Sequence, residues 1–402
     1  MTPFLQLIFL ILIILVAAKA SGYLAMKLGQ PSVLGELIVG VLLGPSLLNI
    51  TNLSFITDPH VGEMIQELGE LGVLLLMFVA GLELHISELT RNMKVAAFSG
   101  ILGVILPVGL GLLVGEMFGM SAENAAFLGL TLGATSVSIS AQTLMELKVL
   151  RSRVGLGLLG AAVFDDILVI LLLSVYVALS EGGSTAQIMM VVVEMIAFLG
   201  LSVAFGIWAL PRLNKVVSKL PISQNILTLA IVIMLLYGLA AELLGGMAAI
   251  TGTFVAGLMF SRTPEKPKIE TGLHSLSYAF FVPIFFVSIG LSINLRDVGI
   301  EVVWILLAIS AVAIIGKILG AGIGAKLGNF TWRESLQLGI GMVSRGEVGL
   351  IIASIGLATG HLTDDVFSAV IGMILISTLV TPPMLRAAFA HETTVAVQPE
   401  EP

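Results

Sequence analysis

Two acidic residues stand side by side in an otherwise apolar stretch, Phe164-Asp165-Asp166-Ile167. They fall about 13 residues beyond the basic residues that open the stretch, so a helix would carry them roughly 20 Å from its start. Neighbours on a helix point about 100° apart, so the two carboxylates can serve different partners. A cation at matching depth is Lys317, in Ile315-Gly316-Lys317-Ile318-Leu319-Gly320. A buried lysine beside a buried aspartate lets both stay charged, whereas the lysine alone would shed its proton. Such a pair can be purely structural. It can also be broken by an arriving cation, which would couple cation binding to proton release.

Two further segments carry unusual chemistry at comparable depth. Gly133-Ala134-Thr135-Ser136-Val137-Ser138-Ile139-Ser140 strings hydroxyl and β-branched residues behind a glycine, a poor helix former. Unwound, it would offer carbonyl and hydroxyl oxygens, hard ligands for a small alkali cation. Kept helical, its hydroxyls would bond back to their own helix or across to another. The second segment is Gly341-Met342-Val343-Ser344-Arg345-Gly346-Glu347-Val348-Gly349. Residues two apart on a regular helix do not face each other, so Arg345 and Glu347 need an unwound stretch or outside partners. Arg345 cannot readily discharge and must find carbonyls, helix ends or acids. A bracing role for this pair is favoured over ion passage.

These segments sit in a chain that cannot be soluble. Only 11% of its 402 residues are charged, 57% are hydrophobic, and there are 44 glycines. Mean hydropathy is +1.09. So few charges could not cover the surface of a soluble protein of this size. The apolar runs are long and continuous, which selects an all-α polytopic membrane protein over a barrel. With no cysteine there is neither disulfide nor thiolate chemistry.

Apolar runs predict about thirteen spans. They lie near 3–26, 32–48, 65–86, 94–118, 123–146, 152–180, 185–210, 223–240, 245–261, 273–294, 300–326, 334–359 and 364–389. Of the 19 Lys and Arg, 15 fall in connections on one side, and only Arg296 on the other. Lys19, Lys317 and Arg345 lie within spans. The bias predicts an N-terminus outside and a C-terminus in the cytoplasm. Ala18-Lys19-Ala20 resembles a signal-peptide cleavage site, but no basic residue precedes the first apolar run, which is kept as a helix.

Internal likeness adds a repeat. Phe78-Val79-Ala80-Gly81-Leu82-Glu83-Leu84 and Val287-Ser288-Ile289-Gly290-Leu291-Ser292-Ile293 end the third and tenth spans. Leu128–Gly133 in the fifth parallels Leu338–Met342 in the twelfth. An offset of seven spans makes the two five-helix copies run oppositely, the inverted repeat of secondary transporters with crossing broken helices. The pieces are short and Gly/Leu-rich, so coincidence is the competing explanation.

Glu36, Glu67, Glu70, Glu83 and Glu194 lie nearer span ends or stand alone. None of the five histidines is mid-span or at metal-ligand spacing, so no cofactor is expected. There is no Walker loop and no acyl-transfer triad, which argues against an ATP-driven pump or an enzyme.

At these residues the chain resembles the monovalent cation:proton antiporter-2 group, bacterial sodium/proton antiporters with an NhaA-type inverted-repeat fold. The likeness is carried by Pro31-Ser32-Val33-Leu34-Gly35-Glu36, Ala134-Thr135-Ser136, Phe164-Asp165-Asp166, Gly316-Lys317 and Ser344-Arg345-Gly346-Glu347-Val348-Gly349. The resemblance implies Asp166 as the carboxylate taken in turn by cation and protons, and Asp165 as the partner of Lys317. It implies that Asp165, Thr135 and Ser136 complete the ion- and proton-binding set, with Asp166, Asp165 and Thr135 holding Na⁺. It also implies a homodimer in which core helices (94–180 and 300–389) move elevator-fashion against a scaffold (1–93 and 181–299), with 390–402 a cytoplasmic tail. Glutathione-gated potassium-efflux relatives carry Gln-Asp and a nucleotide-binding domain. Asp-Asp and a short tail here resemble the simpler electrogenic antiporters.

Rival readings are a K⁺/H⁺ antiporter or potassium-efflux subunit, an organic-anion carrier on the same fold, and a channel. A channel would want rings of like charge or filter carbonyls around an axis, which paired opposite charges do not supply. No nucleic-acid partner is indicated.

Overall fold

Helices account for every regular element among the described residues of the computed structural model, which are 1–83, 92–180, 185–291 and 302–395. Ten of these helical segments are long and apolar enough to cross a membrane, and two more, Ser32–Leu43 and Ala249–Phe260, are apolar but short. With no water in lipid to satisfy peptide groups, a chain this apolar must close its hydrogen bonds within each segment. Arg91, Glu181, Arg296, the final residues of both aligned Gly-Leu pieces, and the last seven residues lie outside the described residues.

The chain divides into two units. The first comprises residues 1–15, 54–91 and 166–288; the second comprises 16–53, 92–165 and 289–402. Helix α1 (Pro3–Lys27) and a later long helix each contribute to both. The other elements preceding that long helix are α2 (Ser32–Leu43), α3 (Val61–Glu83), α4 (Met93–Met117), α5 (Ala122–Gly133) and α6 (Val137–Glu146). The long helix itself is α7 (Arg153–Ser180), followed by α8 (Thr185–Trp208), α9 (Leu210–Val217), α10 (Asn225–Gly245) and α11 (Ala249–Phe260). The rest are α12 (Lys266–Leu276), α13 (Val282–Leu291), α14 (Val303–Leu327), α15 (Trp332–Gly341), α16 (Glu347–Ala358) and α17 (Asp364–Val395).

In the first unit α3 and α11 touch backbone to backbone. A Cβ on Gly81 would sit 2.2 Å from the Phe254 carbonyl oxygen, and one on Gly257 2.1 Å from that of Phe78. Without a hydrophobic drive between helices in lipid, this close approach is what holds them, through dispersion. Between α12 and α13 the helix widens into a π turn at Ser277–Phe281, just before Pro283. Proline lacks an N–H and its ring crowds the carbonyl four residues back, so the extra residue relieves the clash. The basic run around Arg212 and Lys215, read as a connection from sequence, is the short helix α9, because its polar face masked its apolar one.

In the second unit α5 and α15 are among the helices that start with explicit caps. Ser121 Oγ accepts from Asn124 N at 3.2 Å. Thr331 and Glu334 form a reciprocal capping box, with Thr331 N donating to Glu334 Oε2 at 2.7 Å and Glu334 N to Thr331 Oγ1 at 3.2 Å. Each cap opens a helix that stops short, at Gly133 and Gly341. The spans expected near 123–146 and 334–359 are therefore two pairs of half-helices.

A candidate ion site

Half-helix ends leave peptide groups without intrahelical partners, and in lipid these must be satisfied by protein. Between α5 and α6 the chain is extended at Ala134 and Ser136; between α15 and α16 it is non-helical from Val343 to Gly346. The two interruptions satisfy each other. Ser136 N donates to Ser344 O at 2.9 Å. Ser344 Oγ donates to Ser136 O at 2.5 Å, and Ser140 Oγ to Gly341 O at 2.5 Å. Ser140 and Ser344 hydroxyls lie 3.1 Å apart, and those of Ser136 and Ser138 3.0 Å apart. The serines of the 133–140 run thus neither stay wholly helical nor stand free.

Arg345 lies inside the second interruption and is fully buried. Its Nη1 donates to the Ala134 carbonyl at 2.5 Å and reaches Thr135 Oγ1 at 3.5 Å; Nη2 donates to Ala313 O at 3.3 Å. Its own carbonyl accepts from Thr378 Oγ1 at 2.6 Å. A fixed positive charge thus sits at the C-terminal, negative end of α5, the orientation a helix dipole favours. Three helices, α5, α14 and α17, are tied through one residue. Glu347 is the first residue of α16, and its side chain lies outside the described residues.

On the same unit, Lys317 of α14 forms an ion pair with Asp165 Oδ1, both side chains at or below 1% exposure. Asp165 Oδ2 is buried without a hydrogen-bond partner. The next residue, Asp166, belongs to the first unit and is 7% exposed. There, Thr251 Oγ1 of α11 donates to Asp166 Oδ2 at 2.9 Å. Adjacent carboxylates therefore do serve different partners, one a cation and one a neutral hydroxyl.

Thr251 escaped the sequence reading, although Ala249-Ile250-Thr251-Gly252-Thr253 places two hydroxyls in a short apolar helix. Glu146 escaped it too. It caps α2, accepting from Ser32 N at 2.6 Å, Ser32 Oγ at 2.5 Å and Gln142 Nε2 at 2.9 Å. Glu36, one helical turn beyond Ser32, is 6% exposed.

Paired buried charges and interlocked broken helices describe a membrane carrier of small ions. The family model for sodium/hydrogen exchangers, transmembrane, matches residues 10–391. The chain belongs to this family, whose members are monovalent cation:proton antiporters. Across 384 residues it is 40% identical to the Na(+)/H(+)-K(+) antiporter GerN of Bacillus cereus, covering 96% of each chain. It is 35% identical over 385 residues to the Na(+)/H(+) antiporter of Enterococcus hirae, covering 95% of this chain and 98% of the relative. Its fold is similar to that of the sodium proton antiporter MjNhaP1 from Methanocaldococcus jannaschii, with a TM-score of 0.66 at 17% identity over 98% of this chain and 99% of that one.

Proposed function

We propose that the chain exchanges Na⁺, with Li⁺ as a further cation, for protons across a bacterial-type plasma membrane. Asp166 binds cation and protons in turn, assisted by Asp165, Thr135 and Ser136, while Lys317 couples through Asp165. The observation that carries this reading is the fully buried Lys317–Asp165 pair immediately followed by Asp166 on one helix. Ionisable groups at membrane depth cost at least about 2.5–3.5 kcal/mol each, and an ion pathway is what repays them. A carboxylate shared by two ligands makes exchange follow from competition: cation and protons cannot occupy Asp166 together, so loading one side with either drives the other out.

If two protons return per Na⁺, one net charge crosses, worth about 2.3 kcal/mol per 100 mV of membrane potential. In this reading thirteen spans form two inverted five-helix repeats, with the N-terminus outside and the C-terminus in the cytoplasm. Residues 94–180 and 300–389 shift elevator-fashion against 1–93 and 181–299 within a homodimer. Arg345 and Glu347 brace the crossing. The basic connections support the orientation, and the reciprocal bonds between the interrupted helices support the crossing.

A second reading, K⁺/H⁺ exchange, draws support from the Na(+)/H(+)-K(+) antiporter GerN of Bacillus cereus, whose name includes K⁺ beside Na⁺. Both readings are tested with purified protein in liposomes carrying an inward proton gradient and a pH-sensitive dye. Na⁺-dependent proton release by the wild type, absent in Asp166→Asn, is expected. A response to K⁺ but not Na⁺ would replace the first reading by the second. No release with any monovalent cation, or undiminished release by the Asp166→Asn variant, overturns both.

A further inference from the structure

Ion exchange makes no use of a cavity of about 390 Å³ in the first unit, where α8, α9 and the end of α11 meet. Its polar lining is Asn214, Lys215, Ser218, Arg262, Thr263 and Glu265. These groups sort by sign. Asn214 is 2% exposed, and its Nδ2 donates to Glu265 Oε2 at 3.0 Å. A carboxylate only accepts, so the amide nitrogen faces Glu265 and the amide oxygen is left for another donor. That oxygen is buried without a hydrogen-bond partner. An orphaned acceptor next to a carboxylate is a site for a positively charged N–H donor, because leaving it unpaired costs free energy that a ligand can return. On the same cavity, Lys215 and Arg262 are exposed, and among the described residues the ion pairs involve neither. They suit an anion. The arrangement asks for one molecule with a phosphate and a primary ammonium a few bonds apart.

Its position says where such a molecule comes from. Helix α8 is a membrane-length span that ends at Trp208, 67% exposed, next to Ile207 at 40%. Val216 of α9 is 62% exposed and Leu220 beyond it 44%. Exposed tryptophan at a span end and a short amphipathic helix with basic residues are marks of the headgroup layer. We propose that this cavity binds the headgroup of an aminophospholipid. Lys215 and Arg262 take the phosphate, and the ammonium donates to Asn214 Oδ1 and the Glu265 carboxylate. The site is independent of which ion is exchanged.

The test uses the full chain, stripped of lipid in detergent, titrated with phosphatidylethanolamine, phosphatidylcholine or phosphatidylglycerol of identical acyl chains. Lipid occupancy is read by native mass spectrometry and the unfolding midpoint by a thermal melt. Phosphatidylethanolamine should bind about tenfold more tightly than the other two, the factor carried by one charge-assisted hydrogen bond. It should also raise the midpoint. Phosphatidylcholine has the same charges but no N–H, and phosphatidylglycerol has no ammonium. Asn214→Leu and Glu265→Gln should each erase the preference, while Arg262→Gln should weaken all three lipids. Should Asn214→Leu fail to fold, Glu265→Gln carries the comparison alone. Equal binding of phosphatidylcholine or phosphatidylglycerol overturns the proposal, as does a preference that survives Glu265→Gln.

Discussion

Lys317 and Asp165 form an ion pair from which solvent is excluded, with 0% and 1% of the side chains exposed, while the second oxygen of Asp165 is buried without a partner. Among the described residues Lys317 is the ion-pair partner of that carboxylate, with the buried guanidinium of Arg345 within electrostatic reach but not hydrogen-bonded to it, so the pair depends on both members. Removing one member of a buried pair typically costs about 3–5 kcal/mol, because the other charge is stranded. Lys317→Ala should therefore lower the unfolding midpoint strongly. Lys317→Ala combined with Asp165→Asn should regain most of that loss, since the stranded charge is gone. Thermal melts of the single and double variants in the same detergent decide this; a double variant as unstable as the single one would mean that the pair is not the source of the effect.

Arg345 spends its guanidinium on two carbonyls from two helices, Ala134 O and Ala313 O. Lysine keeps the charge but offers a point donor in place of a planar fork. Arg345→Lys should lose about 1.5–3 kcal/mol, the worth of a hydrogen bond to a charged group. Denaturant or thermal unfolding measures it directly. Stability equal to wild type would argue that the carbonyls find water or lysine without loss.

Gly346 sets how closely the two interruptions approach. Its φ of −159° is available to any residue, so backbone strain is not the reason for glycine. A Cβ there would lie 2.7 Å from Ser136 Cβ and 2.6 Å from Ser136 Oγ. Gly346→Ala should cost about 1–3 kcal/mol by overpacking. Adding Ser136→Gly should recover part of it by vacating the same space. Failure of the second substitution to help would place the damage elsewhere.

Thr251 donates to Asp166 from a short apolar helix. Thr251→Val keeps the shape and deletes the donor, and should cost about 1.5–3 kcal/mol for a bond to a charged acceptor. Thr251→Ser should stay near wild type. The half-saturating Na⁺ concentration, measured with the dye assay at fixed pH, should move in the valine variant and not in the serine variant. Identical cation dependence in all three proteins would remove Thr251 from the ion site.

Composition and charge placement were enough to determine a polytopic helical membrane protein, because lipid tolerates few alternatives for so apolar a chain. Type and depth were also enough to single out Asp165, Asp166, Lys317 and Arg345, since ionisable groups at membrane depth are rare, whereas Thr135 and Ser136 as ion ligands came from the family resemblance. Tertiary structure decided the partners. Sequence left open whether the 133–140 hydroxyls bond within their own helix. The answer depended on Ser344, 208 residues from Ser136, lying close enough to exchange hydrogen bonds. Thr251 and Glu146 stayed hidden for the same reason. A hydroxyl in an apolar helix, or an acid at a helix end, carries no mark of its partner until packing brings the partner within about 3 Å.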